Sequence, residues 1–511
     1  EAGGWRLEAG GWRLDMARWE VSFTLSRRPG VPLFQQIANA ISADIRRGRL
    51  RPGDAVPGTR SLARALGVQR LTVVAAFDDL VAQGWLVTQR ARGTFVSTDL
   101  PDSPIGRTRG RRIADDIPER PGFDMLAVPD AELPYDVPPG ALLFAPSRPD
   151  VRLVPSDIIG RAFRRAMQRR GRALLSYGRP EGHPRLRKAV SQMLASTRGL
   201  AAGPANVCIT AGSQMALSLL ARTLVRPGDA VAVEALGYRS AWEAFRLAGA
   251  RVVGVPLDRD GLRIDALERT IARHAVRAIY VTPHHQFPTT VTMSAGRRLR
   301  LLELARTRRI PIIEDDYDYE FRYDGRPVLP LASVDRAGVV AYVGTFSKVL
   351  APTLRLGYVA GPVPLIERLA AQRSHLDTQG DQVLEYAVAE LLEEGEIQRH
   401  IRRARREYRL RRDTLAVALR DTLDDSVTFE VPAGGIALWV EAKSLDVDAW
   451  AAAARRAGAV VVTAASFALD GRSRPYMRLG FASLDPGELR EGVRRLAAAR
   501  PTSLDIRRSG G

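Results

Sequence analysis

Residues 339–361 read VVAYVGTFSKVLAPTLRLGYVAG, in which an apolar strand runs into a polar turn and a second apolar run follows. The turn carries hydroxyls at Thr345 and Ser347 and an amine at Lys348, and a guanidinium follows at Arg355. Hydroxyls and a guanidinium beside an amine favour binding of a phosphate next to that amine. Burial near cationic groups would lower the pKa of Lys348 and help its amine to act as a nucleophile and base.

Lysine is scarce in this chain, which narrows the search for a reactive amine. Only three of the 76 basic residues are lysines, namely Lys188, Lys348 and Lys443. Lys188 belongs to the amphipathic helical segment RLRKAV and Lys443 to the polar segment EAKS, so both are interpreted as exposed. Lys348, at a strand-to-loop junction, is the candidate for amine chemistry.

Strand-like runs alternate with helical segments from about residue 141 onward. The runs NVCIT, AVAVEA, RAIYVT, IPIIEDD and VVAYVGT are each followed by a helical or turn pattern. This alternation predicts an α/β domain with a largely parallel sheet. After about residue 362 the pattern is helix-rich, and the end of the chain is interpreted as a smaller α+β lobe.

Three further segments complete the requirements of pyridoxal phosphate, which needs an amine, a carboxylate for its pyridine nitrogen, phosphate donors and a stacking surface. In PIIEDDYDYEF, acids end an apolar strand at the carboxyl edge of a parallel sheet, where α/β ligands bind. Asp315 is the candidate for the pyridine nitrogen, and Tyr317 for the 3-oxygen of the ring. A solvated acidic loop is the alternative interpretation.

The phosphate site has a second candidate segment, CITAGSQMALSLL, in which a strand is followed by Gly212, Ser213 and Gln214 and then by a helix. The amides at a helix N-terminus favour an anion. Tyr238, in VEALGYRS, is the candidate for stacking on the cofactor ring. An ordinary half-buried tyrosine is the alternative.

The region from Pro32 to about Ser97 has the pattern of a compact helical unit with a hairpin. Apolar residues recur at helical spacing in PLFQQIANAISADIRRGRL, and TRSLARAL predicts a second helix with Thr59 as its N-cap. QRLTVVAAFDDLVAQG predicts a third helix that ends at Gly84. WLVTQRARGTFVS alternates as two short strands around a turn.

A helix-turn-helix followed by a hairpin can place its last helix in the major groove of DNA and its wing on the adjacent backbone. The candidate DNA contacts are Arg60, Gln69, Arg70, Thr72, Arg92 and Gly93. Residues 16–97 contain 12 arginines and 5 acidic residues, and the whole chain has a net charge of +19. This excess favours a polyanionic partner, although solubility or merely solvated arginines would explain it as well.

Bulk features indicate a cytoplasmic protein. The single cysteine, Cys208, lies in an apolar stretch and cannot form an internal disulfide, which fits a reducing compartment. The chain has no apolar run long enough to span a bilayer and no signal peptide pattern, so we expect no membrane partner. No metal site is expected either.

The predicted organisation has five parts. Residues 1–31 form a disordered leader that begins with EAGGWRL repeated twice, and residues 32–98 form the DNA-binding domain. A linker rich in Pro, Asp, Arg and Gly spans residues 99–140. The cofactor-binding domain spans 141–499, and residues 500–511 form a tail.

The stretch GRLRPGDAVPGTRSLARALGVQRLTVVAAFDDLVAQGWLVTQRARGTFV resembles the GntR-type winged helix over its whole length. The resemblance implies DNA contacts at the positions proposed above. The chain departs from the family at Gly58, where serine is usual, and at Gln69 and Leu71, where small polar residues are common.

Residues from about 141 to 499 resemble fold-type I aminotransferases, and specifically the MocR branch of regulators. The matching pieces are YGRPEGHPRLRKAV, TAGSQMAL, RPGDAVAVEALGY, VTPHHQFPTTVTMS, IIEDDYDYEFRY, GTFSKVLAPTLRLGY and MRLGF. The resemblance implies that Lys348 is the catalytic Schiff-base lysine, that Asp315 and Tyr317 contact the ring, and that Tyr238 stacks on it. It also implies a phosphate site made of Ser213, Gln214, Thr345, Ser347 and Arg355.

Arg478 is implied to bind the carboxylate of an amino acid effector or substrate. Ala235 replaces an acid that is usual before the tyrosine, and Thr290 replaces a glycine that is usual after the Pro-Thr pair. Both departures lie near the substrate side, so the resemblance does not identify the effector.

The sequence therefore predicts a pyridoxal-phosphate-dependent transcription regulator that senses an amino compound or the cofactor itself and binds operator DNA. By resemblance it is a homodimer. An active aminotransferase with an appended DNA-binding domain is the main alternative, since the catalytic parts are complete. A DNA-binding module on an inactive scaffold is the third.

Overall fold

The computed structural model describes residues 25, 31–89, 92–101, 120–125, 135, 137–325, 328–443 and 445–501. The chain divides into two compact units, residues 1–125 and 126–511. The expected leader, linker and tail lie mostly outside the described residues, and their bounds stay predictions.

The N-terminal unit is a three-helix winged fold, as the sequence predicts. Its elements are α1 (Leu33–Arg46), β1 (Ala55–Val56), α2 (Thr59–Leu66), α3 (Arg70–Ala82), β2 (Leu86–Gln89) and β3 (Gly93–Val96). The strands form an antiparallel sheet in the order β1-β3-β2. Ile37, Ile41 and Ile45 recur at helical spacing and are buried in its core because they share one face of α1.

The turn between α2 and α3 depends on Gly67, whose φ of 61° lies in the left-handed region that glycine adopts without steric cost. The expectation that Thr59 caps α2 is wrong. The N-cap position is Gly58, and Thr59 is the first helical residue. The hydroxyl of Thr59 instead accepts a hydrogen bond of 3.3 Å from Nε of Arg70, which connects the starts of α2 and α3.

The larger unit follows the predicted order of an α/β domain and a smaller lobe. Its α/β part contains β4 (Leu142–Leu143), α4 (Ser156–Leu174), α5 (Pro184–Arg198), β5 (Val207–Thr210), α6 (Gly212–Leu224), β6 (Ala230–Glu234), α7 (Arg239–Leu247), β7 (Arg251–Val255), β8 (Leu257–Asp258), β9 (Gly261–Leu262), α8 (Ile264–Arg273), β10 (Val276–Val281), α9 (Ala295–Arg308), β11 (Ile312–Asp316), α10 (Leu331–Val334), β12 (Val340–Thr345), β13 (Gly357–Ala360), α11 (Val363–Leu376) and α12 (Gln382–Glu393). The lobe contains α13 (Glu396–Leu423), β14 (Val427–Phe429), β15 (Ala437–Ala442), α14 (Val447–Arg456), β16 (Ala459–Val460), β17 (Val462–Thr463), β18 (Tyr476–Gly480) and α15 (Pro486–Ala498).

A seven-stranded sheet in the order β5-β13-β12-β11-β10-β6-β7 forms the centre of the α/β part. The pairs β12-β11, β11-β10, β10-β6 and β6-β7 are parallel, and only β13 runs antiparallel to its neighbours β12 and β5. Val231 and Val233 pack with α6 and α7, whereas Ala230 and Ala232 pack with α8 and α9. Both faces are covered, which explains why these strands are continuously apolar.

The smaller lobe packs α13, α14 and α15 against an antiparallel sheet in the order β14-β15-β18-β17. Trp450 is fully buried there, and its Nε1 donates a hydrogen bond of 2.9 Å to the carbonyl of Leu496. Among the described helices, none has the length and apolar character needed to cross a membrane.

Candidate cofactor pocket and DNA-reading surface

One cavity at the carboxyl edge of the large sheet contains every residue that the sequence assigns to the cofactor. These residues are Ser213, Gln214, Tyr238, Asp315, Tyr317, Thr345, Ser347, Lys348 and Arg355. Asp315 and Thr345 belong to the carboxyl ends of β11 and β12, and the others come from the segments that follow β5, β6, β11 and β12. Because parallel strands end at the same edge of a sheet, residues far apart in the chain meet there.

Sequence analysis did not single out the other residues that line this cavity, which are Ser147, Tyr280, Thr282, Phe287 and Pro352. Tyr280 and Thr282 lie at the end of β10, the neighbour of β11, so the strand-end rule that selected Asp315 would also have selected them. Ser147 precedes the domain's first helix, and no periodic signal marks it.

Lys348 is the buried amine of this pocket. Burial lowers its pKa to about 8, against the opposing effect of the negative charges of Asp318 and Asp315. A much larger share of this amine is neutral near pH 8 than for an ordinary lysine. Lys188 and Lys443 are both exposed, as expected, and Nζ of Lys443 donates to the carbonyl of Asp424 at 2.9 Å.

Asp315 has one satisfied and one unsatisfied carboxylate oxygen. Its Oδ2 accepts a hydrogen bond of 2.8 Å from the hydroxyl of Tyr280, whereas its buried Oδ1 has no hydrogen-bond partner among the described residues. Burial raises the pKa of Asp315 to about 6, and the Tyr280 hydrogen bond and the charge of Lys348 oppose this rise. An orphaned buried oxygen facing the pocket fits a ligand that brings its own donor, such as a protonated pyridine nitrogen.

The predicted phosphate end lies at the start of α6. Gly212 has a φ of 78°, and a Cβ atom there would lie 2.8 Å from Nη2 of Arg355. Nη2 of Arg355 also donates to the carbonyl of Ala211 at 3.2 Å, so the guanidinium crosses the first turn of the helix. The amides of that turn, the guanidinium and the hydroxyls of Ser213 and Ser347 together fit a dianionic group.

Aromatic rings form one wall of the pocket. The ring of Phe287 lies edge-on to Tyr238 at 5.8 Å and to Tyr317 at 5.9 Å between centroids. The hydroxyl of Tyr317 donates to the carbonyl of His285 at 2.9 Å, and burial raises its pKa. These contacts hold Tyr238 and Tyr317 in fixed orientations beside the space where a flat ring would lie.

Arg478 lies beside this wall but does not line the cavity itself. It is fully buried, its guanidinium carbon is 4.7 Å from the centroid of Phe287, and its Nε donates to the carbonyl of Pro146 at 2.8 Å. A second nitrogen donates to the carbonyl of Pro288. Its role in binding a carboxylate therefore stays a prediction. To bind one, Arg478 would have to exchange these carbonyl contacts for contacts with the carboxylate.

A buried histidine–aspartate pair lies close enough to Lys348 for the charge of Asp318 to act on its amine, and sequence analysis did not find this pair. Nδ1 of His285 is 2.7 Å from Oδ1 of Asp318, and both side chains are buried. Asp318 is the negative group that most raises the pKa of Lys348. The two residues are 33 positions apart, and no motif spacing connects them.

The predicted DNA contacts of the helices lie at one end of the helix-turn-helix. Gln69 is the N-cap of α3, Arg70 its first residue, and Arg60 belongs to the first turn of α2; all three are exposed. Thr72 is half-buried in the first turn of α3. The structure thus brings these four side chains together, and their contacts with DNA stay predictions.

Leu71 lies among these polar residues and is 76% exposed. An apolar side chain in this position of a helix that reads the major groove can contact the 5-methyl group of thymine. Sequence analysis noted Leu71 only as a departure from the GntR pattern. Its exposure shows that it does not belong to the core.

The wing is the hairpin of β2 and β3, in which Gln89 pairs with Gly93. Arg92 is exposed, and its backbone amide donates to the carbonyl of Gln89 at 3.0 Å. Gly93 has a φ of 120°, which a residue with a Cβ rarely adopts. Residues 90 and 91 lie outside the described part of the chain.

Comparison with known families agrees with this division. Residues 33–96 match the family described as bacterial regulatory proteins of the gntR family, and residues 153–496 match aminotransferase class I and II. The chain is 33% identical over 478 residues to the probable rhizopine catabolism regulatory protein MocR of Rhizobium meliloti, covering 93% of this chain and 95% of that protein.

Two further relatives represent the regulators and the enzymes. The chain is 33% identical to the HTH-type pyridoxine biosynthesis transcriptional regulator PdxR of Corynebacterium glutamicum, covering 76% of this chain and 78% of that protein. The crystal structure of LysN, the alpha-aminoadipate aminotransferase of Thermus thermophilus complexed with N-(5'-phosphopyridoxyl)-L-leucine, superposes with a TM-score of 0.66 at 31% identity, covering 71% of this chain and 92% of that chain.

The chain belongs to the aminotransferase class I and II family and has that family's fold-type I architecture. Its gntR domain and its full-length likeness to MocR place it among the HTH-type transcriptional regulators that carry an aminotransferase-like domain.

Proposed function

We propose that this regulator binds pyridoxal phosphate in the pocket around Lys348, senses the cofactor or an amino compound there, and binds operator DNA in the cytoplasm through its winged helix. The observation that carries the proposal is the buried, unpartnered Oδ1 of Asp315 in the same cavity as an amine whose pKa is lowered to about 8. A buried carboxylate oxygen without a donor is costly, and a ligand that brings its own donor would remove that cost.

Each part of the cofactor has a proposed partner in this chain. Pyridoxal phosphate, when bound, supplies an aldehyde that reacts reversibly with primary amines and a ring that withdraws electrons. Lys348 offers that aldehyde an amine whose lowered pKa leaves a larger neutral share than in an ordinary lysine. Oδ1 of Asp315 would accept a hydrogen bond from the protonated ring nitrogen. Tyr317 would contact the 3-oxygen, and Tyr238 would stack on the ring.

The phosphate is proposed to bind at the first turn of α6. Ser213, Thr345 and Ser347 offer hydroxyls, Arg355 offers its guanidinium, and Gln214 lies in the same turn as Ser213. Nε2 of Gln214 already donates a hydrogen bond of 2.8 Å to the carbonyl of Ser240. This uncharged amide therefore positions the turn, and it does not neutralise the charge of the phosphate. Arg478 is the proposed partner of an effector carboxylate.

We also propose a homodimer. Leu175 and Tyr177 follow α4 and are 72% and 88% exposed, and Met167 within α4 is 41% exposed. Large apolar side chains that are exposed on a helix and just after it favour burial against another chain. Two copies would present two winged helices, so the operator is expected to contain paired half-sites.

Sensing requires that the ligand bind two conformations of the protein with different affinity, because a ligand shifts an equilibrium only by that difference. The test is selection of DNA fragments by the full chain with and without pyridoxal phosphate and a panel of amines. The expected result is a recurring sequence with paired half-sites whose affinity changes by about 5- to 150-fold with ligand. If the affinity for the operator is the same with and without every ligand tested, the protein does not sense them and that part of the proposal is wrong.

Turnover as an aminotransferase is the second candidate function, favoured by the presence of every predicted catalytic group in one cavity. The test follows the cofactor's absorbance while amino donors and then keto acids are added to the holoprotein. Repeated turnover at roughly 1 to 1,000 per second would indicate an enzyme. A single slow half-reaction would leave the regulator proposal as it stands.

A further inference from the structure

A groove lined by arginines lies between α6 and α11. It consists of two adjoining cavities of about 510 and 370 Å³ that share Arg222, Thr223 and Arg368. Arg226 and Arg277 line the first cavity, and His375 lines the second. The four arginines are all exposed, and the groove follows α11 along most of its length.

This groove is distinct from the cofactor pocket. Helix α6 begins at the pocket and has 13 residues, and Arg222 lies near its other end. At 1.5 Å of rise per residue the two ends are about 20 Å apart. Arg277 lies near the start of β10, at the edge of the sheet opposite to the cofactor.

No described carboxylate neutralises the charges of the groove. In the described part of the chain, Arg222, Arg226, Arg277 and Arg368 take part in no ion pair, and the residues lining the two cavities include no aspartate or glutamate. Asp229, near Arg226, directs its carboxylate to the backbone amide of that residue at 2.9 Å. One guanidinium of the groove has a backbone partner, since Nε of Arg277 donates a hydrogen bond of 3.3 Å to the carbonyl of Leu224.

Some other exposed arginines of this domain are paired with carboxylates. Arg306 pairs with Glu303 at 2.7 Å, and Arg494 pairs with Glu491 at 2.7 Å. What distinguishes the groove is that four arginines without an ion pair among the described residues share one concavity, which favours an anion from outside.

We propose that this groove binds the phosphate backbone of double-stranded DNA outside the half-sites read by the winged helices. The inference rests on the proposed DNA-binding function and extends it to the aminotransferase-like domain. A groove that is elongated and cationic suits a backbone that repeats its charge along a line, and guanidinium groups bind phosphate oxygens through paired hydrogen bonds. Thr223 adds a hydroxyl of the kind that contacts phosphate without reading bases.

The test compares two full-length variants with the same loss of charge. The groove variant is R222Q/R226Q/R277Q/R368Q, and the control variant is R269Q/R306Q/R399Q/R494Q, whose arginines are exposed and paired with carboxylates on their own helices. Affinity is measured against salt concentration for a short duplex that contains only the half-sites, for the same duplex with long flanks, and for a long duplex without half-sites.

Each phosphate contact contributes about 0.9 to the slope of log affinity against log salt, so four contacts contribute about 3 to 4. The groove variant is expected to lose that amount from the slope on both long duplexes and to match the wild type on the short one, while the control variant keeps the wild-type slopes. Equal losses in both variants, or no loss in the groove variant, would overturn the proposal. Binding of inorganic pyrophosphate is also measured by calorimetry. A groove variant that loses this binding but keeps the wild-type slopes on DNA would overturn the proposal too, because that result indicates a small-anion site. If the wild type binds the duplex with half-sites no more tightly than the duplex without them, the function proposed above fails. The duplex without half-sites still tests the groove in that case.

Discussion

The hydroxyl of Tyr280 donates a hydrogen bond of 2.8 Å to Oδ2 of Asp315, and both side chains are buried where β10 and β11 end. This bond opposes the burial that raises the pKa of Asp315 to about 6. It also leaves Oδ1 as the only oxygen of that carboxylate free to face the pocket. The charge of Asp315, and with it the affinity for a protonated ring nitrogen, thus depends on a tyrosine of the neighbouring strand.

Tyr280→Phe is therefore expected to raise the pKa of Asp315 above about 6 and to weaken cofactor binding. A hydrogen bond to a charged group contributes about 1.5–3 kcal/mol, so the loss is roughly 10-fold or more. The carboxylate is lost as pH falls through its folded pKa, so the defect should be larger at pH 6 than at pH 8. Titrations of cofactor absorbance at both pH values measure it. Tyr408→Phe, a buried tyrosine of the smaller lobe, serves as the control, and equal defects in both variants would contradict the account.

Capture of the cofactor by Lys348 is expected to rise with pH. The ammonium form has no lone pair, so the rate should increase as pH passes through the lowered pKa of about 8 and level off above it. Stopped-flow absorbance across pH 6 to 10 gives the profile. Lys348→Ala should show no capture, and the exposed Lys443→Ala should match the wild type. A midpoint near the ordinary lysine value of 10.5 would show that the amine is not desolvated.

Gly212→Ala tests the close approach at the phosphate end. The new Cβ would lie 2.8 Å from Nη2 of Arg355, and the backbone φ of 78° is unfavourable for alanine by about 1 kcal/mol. We expect at least about a 10-fold loss of affinity for both pyridoxal phosphate and a competing inorganic phosphate, measured by titration. Gly160→Ala, at an open position of α4, should leave both affinities unchanged.

Leu71 is expected to contact a thymine methyl group in the operator. Replacing that thymine by deoxyuridine removes one methyl group and should weaken binding by about 0.8 kcal/mol, or roughly fourfold. In Leu71→Ala the same replacement should have no effect, since the partner is already gone. Binding is measured on a set of operators with one replacement each. If no replacement distinguishes Leu71→Ala from the wild type, Leu71 does not read a base.

Thr290→Gly is expected to stabilise the larger unit. Thr290 has a φ of 65°, in the left-handed region that a β-branched residue adopts only with strain. Relief of about 1–2 kcal/mol is offset in part by the flexibility of glycine, which leaves a gain of about 0.5–1 kcal/mol in the free energy of unfolding. Urea denaturation checks this, with Thr307→Gly on the exposed face of α9 expected to destabilise instead. A Thr290→Gly protein no more stable than the wild type would show that threonine is not strained here.

Much of the fold was predictable because its signals are local. The apolar runs of β5, β6, β10, β11 and β12 mark buried parallel strands, and the sequence placed all of them. The antiparallel β13 between β5 and β12 was not predictable, because strand order depends on which edges meet after the chain has folded. The N-cap of α2 was misassigned for a similar reason, since the hydroxyl of Thr59 is taken by Arg70 from the next helix.

The nine residues proposed for the cofactor were chosen from strand ends and family motifs, and the structure brings all of them into one cavity. Tyr280 was overlooked although it lies at a strand end, and His285 and Asp318 were not found because no motif spacing connects the two members of that pair. Arg478 was named, but its present contacts with the carbonyls of Pro146 and Pro288 had no signal in the sequence.

The sequence by itself determined the order of elements, the winged helix, the parallel sheet and the choice of Lys348 as the candidate amine, because periodicity, turn residues and motif spacing are set within a few consecutive positions. Only the tertiary structure decided the lowered pKa of Lys348, the orphaned oxygen of Asp315, the exposure of Leu71 and the four unpaired arginines between α6 and α11. Those properties depend on burial and on the distances between charges, which are set by residues far apart in the chain.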